Sequence, residues 1–199
     1  MPSSLDAHTT GVPARPSAAA GPVATLGPSG TSSEAAGSHL TRHIDRTPGS
    51  PVALFGTYED ARDAVLAGAA DRLLVANAYR EIDSFYMDLR LGLAQAFVFD
   101  TPHYGLAVRT SAPVPLKCTV VTHPAPRDLI AQLMPPGYGV AGIAFATSTS
   151  EAARHAADGG AEIALTTAPA AALHDLRFIS ATRPIRMLWS VFGRSGRDA

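Results

Sequence analysis

The chain has 199 residues, 46% of them hydrophobic, enough for one domain or two small lobes around a buried core. Its 16 Lys and Arg against 17 Asp and Glu give no charge excess that would imply a nucleic acid or an anionic membrane surface as partner. The one cysteine, Cys118, excludes a disulfide framework, and the seven histidines show no metal-ligand spacing, so no metal is expected.

Residues 1–20 (MPSSLDAHTTGVPARPSAAA) carry Pro, Ser, Thr and Ala without an apolar segment, and read as a disordered tail, not a secretion signal. No later stretch is long and apolar enough to span a bilayer, and a cytoplasmic protein is expected. From Val23 onward, short apolar runs alternate with Ala-rich stretches of helical spacing. Strands are predicted at Val23–Leu26, Val52–Phe55, Leu73–Ala76, Ala96–Phe99, Gly105–Arg109, Cys118–Thr122, Gly142–Ala146, Ile163–Thr166, Arg177–Ser180 and Leu188–Phe192. Helices are predicted at Ser32–Ile44, Glu59–Ala69, Pro126–Met134, Ser150–Ala157 and Ala168–Leu173. This alternation argues for an α/β protein. The prolines of Thr110–Leu116 (TSAPVPL) interrupt helix and sheet ladder alike, which divides the chain into two lobes.

Two loops share one grammar. In VATLGPSGTSSEAA an apolar strand runs into glycines and then into Thr31 and Glu34, a T-x-x-E capping box whose side chains satisfy backbone N–H groups at the helix start. Such a start attracts anions through its free N–H groups and the positive end of its dipole. GIAFATSTSEAA repeats the pattern with Ser148 and Glu151, and adds the hydroxyls of Thr149 and Ser150. If the lobes face each other, the two starts take one anionic group each, which suggests a small dianion as ligand. Thr57 and Asp60 form a further box in TYEDARDAVLAG, read as plain helix capping.

Taken in order, LGPSGTSSEAA, DTPHYGLAVR, VVTHPAPRDLI, STSEAA, AEIALTT and LWSVFG resemble the catalytic region of prephenate dehydratases, over nearly everything from Pro22 to Gly193. The resemblance implies a two-lobed, periplasmic-binding-protein-like α/β fold with substrate in the cleft. The catalytic domain is expected at 21–195, with lobe 1 at about 21–105 plus 181–195, lobe 2 at about 106–180 and a tail at 196–199. The regulatory module usual in dehydratases is not expected, nor is phenylalanine feedback. One departure stands out: the Thr-Arg-Phe triplet, whose threonine assists loss of the ring hydroxyl, is replaced by Met187, Leu188 and Trp189. A thioether and an isobutyl group neither donate a proton to a leaving hydroxide nor pair with a carboxylate. MLWSVFG, with FYM at Phe85–Met87 and DTPHYGLAVR at Asp100–Arg109, is most similar to the non-aromatising prephenate decarboxylases of the bacilysin, aeruginosin and salinosporamide pathways. Ser29 departs from the GPEGT usual in both groups.

The resemblance therefore implies a cofactor-independent carboxy-lyase that acts on prephenate, with dehydration or dicarboxylate binding without turnover as the alternatives. The ring diene accepts the electron pair that pyridoxal phosphate or thiamine diphosphate otherwise takes, and no motif for either occurs. One helix start, through Thr31, Ser32 and Ser33 or through Ser148, Thr149 and Ser150, is expected to hold the pyruvyl carboxylate. His123 is the first choice of proton donor, followed by Tyr104 and His103. Asn77 and Tyr79 are candidates for the substrate hydroxyl or for an ordinary strand-end turn. Arg109 is a candidate for a carboxylate or for a surface ion pair. Met187, Leu188 and Trp189 are expected to wall the pocket, although a tryptophan in such a strand more often marks the core. Homodimerisation is implied by family likeness alone.

Overall fold

The computed structural model describes residues 21–111 and 113–196; the predicted tail at 1–20 lies outside them, as do Ala112 of the proline-rich break and residues 197–199 of the C-terminal tail. The described chain forms two five-stranded sheets. The first contains β1 (Val23–Leu26), β2 (Val52–Phe55), β3 (Arg72–Ala76), β4 (Leu91–Asp100) and β10 (Arg186–Arg194), in the order β2-β1-β3-β10-β4. The second contains β5 (Tyr104–Arg109), β6 (Lys117–Thr122), β7 (Gly139–Phe145), β8 (Ile163–Thr167) and β9 (Leu176–Phe178), in the order β7-β6-β8-β5-β9. Each sheet has three parallel strands with an antiparallel strand beside them, β10 against β3 and β5 against β8.

Helices α1 (Ser32–His39), α2 (Tyr58–Leu66) and α3 (Asp83–Met87) accompany the first sheet, and α4 (Leu129–Leu133), α5 (Thr149–Ala157) and α6 (Ala168–Leu173) the second. All ten predicted strands are present, several of them longer than their apolar runs. Helix α3 was not foreseen: it has five residues, and Ile82 at its N-cap supplies no capping side chain. The helix predicted over Ser32–Ile44 changes winding after His39, and Leu40–Ile44 forms a π-helical turn.

Alternating side chains fill the core. In β3 the run Leu73, Leu74 and Val75 is wholly buried, because helices cover both faces of a central parallel strand. Leu73 and Val75 pack with Phe85 and Phe192 under α2, whereas Leu74 packs with Leu40 and Trp189 under α1. Burying a side chain of the size of Phe85 contributes roughly 1.5–3 kcal/mol. In the second half, small side chains of α5 and α6 (Ala152, Ala153, Ala156, Ala170, Ala171) lie close against Ala107, Val121 and Ala164 of the sheet.

Two crossing segments join the sheets. Between β4 and β5, Thr101 donates its N–H to Ile185 O at 2.9 Å and accepts the Ile185 N–H on Oγ1 at 3.0 Å. Tyr104 and Arg183 exchange both backbone bonds, at 2.8 and 3.0 Å. The two passages thus form one hydrogen-bonded ribbon across the molecule. Among the described residues, no helix is long and apolar enough to cross a membrane.

Candidate active site

Between the two sheets lies a cleft of about 400 Å³. Both predicted helix starts open into it: Thr31, Ser32 and Ser33 of α1 from one side, Ser148 and Thr149 of α5 from the other. The hydroxyl half of each capping box forms as the spacing predicts, while Glu34 Oε2 accepts the Gly30 N–H at 2.7 Å and Glu151 Oε2 pairs with Arg154. Thr31 Oγ1 accepts the Glu34 N–H at 3.3 Å, and Ser148 Oγ accepts the Glu151 N–H at 3.0 Å. In both helices the N–H groups of the first turn lack an intrahelical acceptor, so each end offers donors to an anion.

A third helix start enters the same cleft. Gly56, Thr57, Tyr58 and Glu59 at the beginning of α2 line it, with Thr57 Oγ1 accepting the Asp60 N–H at 3.0 Å. The sequence marks this start with the TYEDARD box, which reads as plain helix capping and not as part of the site. Its capping is as expected, but where the capped end faces follows from topology: β1 and β2 are parallel neighbours, and the loops leaving their C-terminal ends both emerge beside the cleft.

Interlocked hydroxyls bind these ends together. Ser32 Oγ bonds the Tyr104 hydroxyl at 2.8 Å, and Ser33 Oγ bonds that of Tyr58 at 2.9 Å. Tyr58 also accepts the Ala76 N–H at 3.3 Å. Burial pushes Tyr58 up to about 12 and moves Tyr104 in the same direction. Tyr79 donates to Glu59 Oε1 at 2.8 Å, and it too is pushed to about 12, first by burial and then by the Glu59 carboxylate. The glycine loop ahead of α1 is clamped by the other half: Ser150 Oγ donates to Ser29 O and Thr167 Oγ1 to Gly30 O, both at 2.7 Å. Ser29, the departure from GPEGT, donates its hydroxyl to Glu34 Oε1 at 2.7 Å and so becomes part of the capping loop.

The structure brings ten of the fifteen nominated residues into the cleft wall: Thr31, Ser32, Ser33, Tyr79, Tyr104, His123, Ser148, Thr149, Met187 and Trp189. Five are placed elsewhere. His103 is exposed and bonds Thr182 Oγ1 through Nδ1 at 3.1 Å. Asn77 Oδ1 accepts from Ser190 Oγ at 2.8 Å. Arg109 Nη1 donates to Ala156 O at 2.6 Å and to Ala161 O at 3.4 Å, at the C-terminal end of α5, away from the cleft. Ser150 holds the loop clamp just described. Leu188 follows the strand alternation: Met187 and Trp189 face the cleft side of β10, and Leu188 projects to the opposite, exposed face. Trp189 is fully covered at the base of the cleft, where its indole N–H donates to Phe99 O at 3.4 Å.

His123 sits at the end of β6 with Nδ1 accepting the Ala125 N–H at 3.2 Å. That bond requires Nδ1 to be free of a proton, so the ring carries its hydrogen on Nε2. Burial lowers its pKa below the ordinary histidine value, which keeps the ring neutral. A neutral ring is a hydrogen-bond donor and a poor proton source. No arginine or lysine is among the described residues lining the cleft, and Glu59 is the one carboxylate there. An anion is therefore met by hydroxyls, amides and helix ends, beside an apolar surface of Met187, Ile185 and Leu26.

The chain is similar to known proteins over most of its length. No family model matches the chain. A prephenate decarboxylase of Planktothrix agardhii is 38% identical over 178 residues, 87% of this chain and 88% of that protein. A prephenate decarboxylase of Bacillus subtilis is 36% identical over 182 residues, 88% of each chain. Among solved structures, the prephenate dehydratase of Arthrobacter aurescens superposes with a TM-score of 0.66 at 19% identity, over 88% of this chain and 61% of that one. The periplasmic VFT2 domain of Bordetella pertussis BvgS does so at 0.52 and 19%, over 88% of this chain and 80% of that domain. These likenesses show the fold: a two-lobed α/β architecture of the periplasmic-binding-protein type, shared with prephenate dehydratase.

Proposed function

The chain belongs to the prephenate decarboxylase family, and from that premise we propose that its cleft releases carbon dioxide from prephenate without aromatising the ring. The observation that carries the reading is the pairing of three helix starts with an uncharged wall at Met187. Prephenate is a dianion with a pyruvyl carboxylate, a ring carboxylate and a ring hydroxyl. The pyruvyl carboxylate persists in the product, so gripping it at a helix start does not oppose the reaction. The ring carboxylate must lose its charge as the bond to the ring breaks, and a strong cationic partner would stabilise the ground state instead. A cleft lined without Arg or Lys avoids that penalty.

In the proposed step the bond between the ring carbon and its carboxylate breaks, the electron pair enters the ring diene, and a proton is taken up at ring carbon. The ring hydroxyl stays. By the resemblance Met187 takes the place of the threonine that assists loss of this hydroxyl, and a thioether donates no proton. His123 donates from Nε2 to an oxygen of the substrate, and Tyr104 and Ser32 hold the α1 end in place. The product keeps a ketone beside its carboxylate, the substrate class of a transaminase, which fits a route to a non-proteinogenic amino acid. The test is to incubate the pure protein with prephenate at neutral pH, follow carbon dioxide, and identify the organic product by NMR. A dihydro-4-hydroxyphenylpyruvate is expected. Phenylpyruvate would make the protein a dehydratase, and unchanged prephenate a binding protein.

A further inference from the structure

We propose that Glu59 is the acid that protonates the ring carbon, and that Tyr79 is its positioning residue. The assignment rests on the prephenate decarboxylase reading above. Glu59 is half-buried at the first turn of α2, it lines the cleft, and the Tyr79 hydroxyl fixes one carboxyl oxygen, Oε1, at 2.8 Å. Oε2 is then the atom that carries a proton. Tyr79 itself is held against Tyr58, with ring centroids 4.8 Å apart, so the pair is built on packed aromatic rings and not on a free loop.

Other donors in the cleft are less suited. His123 has its Nδ1 committed to the Ala125 N–H and is neutral. Tyr58, Tyr79 and Tyr104 hold their protons more tightly than an ordinary phenol. Serine and threonine hydroxyls are weaker acids still. The groups around Glu59 are mostly neutral or acidic: Tyr58, Asp60 and Asp63 on its own helix, Glu81 near Tyr79, and Tyr104 and His123 on the other wall. Arg62, the cation on this helix, is bound to Asp63 at 2.9 Å. Among the described residues, no Arg or Lys stands in the cleft wall beside Glu59. For Glu59 to act as the acid, the dianion must bind the form that has a hydrogen on Oε2, so that one proton is taken up with the substrate. As carbon dioxide leaves, the Oε2–H bond gives its proton to the ring carbon and its electrons remain on Glu59. The new carboxylate faces a monoanionic product and takes its next proton from water.

The experiment compares wild type with Glu59→Gln and Tyr79→Phe, using prephenate binding and circular dichroism as controls for folding. For Glu59→Gln we expect kcat to fall about 10²–10⁴-fold, the range of a positioned general acid, with prephenate bound as tightly as before or more tightly. Tyr79→Phe removes the bond that fixes Oε1 and is expected to lower kcat about tenfold with KM unchanged, a split that a merely structural role would not give. A Glu59→Gln enzyme with kcat within about threefold of wild type overturns the assignment. So does a variant that binds prephenate more than about tenfold more weakly, which makes Glu59 a binding residue. A Tyr79→Phe enzyme with wild-type kcat, or one in which only KM changes, removes Tyr79 from the mechanism. If wild type yields no dihydro product the functional reading fails as well; if it does and Glu59→Gln remains active, only the acid assignment fails.

Discussion

Gly30 tests how the two halves are joined. It has φ +86°, and a Cβ there would stand 3.0 Å from Ala170 Cα and 3.2 Å from Ala170 Cβ and N. The left-handed conformation alone costs an alanine about 1–2 kcal/mol. Overpacking adds about 1–3 kcal/mol, since Ala170 is buried helix backbone that has no flexible end to yield. Gly49 separates the two contributions, because it has φ +100° and nothing within 4 Å of its would-be Cβ. Gly49→Ala should therefore show the backbone cost only. At about 2–4 °C per kcal/mol for a chain of this size, Gly30→Ala should melt roughly 2–12 °C below Gly49→Ala. Thermal unfolding followed by circular dichroism reads the difference directly. Gly30→Ala should also raise KM for prephenate, since the loop that Thr167 and Ser150 clamp leads straight into the α1 capping box. Two variants melting together would refute the claim that the α6 backbone constrains this loop.

Met187→Thr puts a hydroxyl on the cleft side of β10 and is expected to yield detectable phenylpyruvate; chromatography of the products checks this, and Leu188→Arg, on the opposite face, should leave the product unchanged. His123 has its pKa lowered by burial, so its neutral form persists down to pH values below 6.5. As pH falls through that lowered value, Nδ1 gains a proton and can no longer accept the Ala125 N–H, so kcat/KM should drop on the acid side. In His123→Asn this acid limb should vanish from the pH profile. Arg109→Met leaves the Ala156 carbonyl without its charged donor and should cost about 1.5–3 kcal/mol in denaturant unfolding, with KM unaltered.

The strands and the capping boxes were legible in the sequence because both are local signals: apolar runs between breakers, and a hydroxyl three residues before a carboxylate. Helix α3 carries neither signal. Its five residues lack a capping side chain, and Phe85 is buried by packing against Tyr58, Tyr79 and Phe192, partners brought from three other segments. Which way a capped helix points is not local either. Thr57 and Ser148 have equivalent boxes, but only the strand order shows that both face the cleft, and with Thr57 come Tyr58 and Glu59. Arg109 illustrates the reverse: an arginine at a strand end invites a ligand role, whereas the fold sets it against the carbonyls that close α5. The pairing of Met187 with Leu188 as a single determinant dissolves for a simpler reason, since neighbouring residues of a strand point to opposite faces.

The position of β10 bears on how the chain is made. β4 has β10 as its neighbour in the first sheet, and β10 is made after every other strand among the described residues, whereas the second sheet is contained between residues 104 and 178. A nascent chain can thus complete its inner half while β4, with Leu93 and Val98 exposed, still waits for its mate. Over that interval the growing polypeptide presents an unpaired ladder, and a chaperone that shields it would guard the step on which assembly of the first half depends.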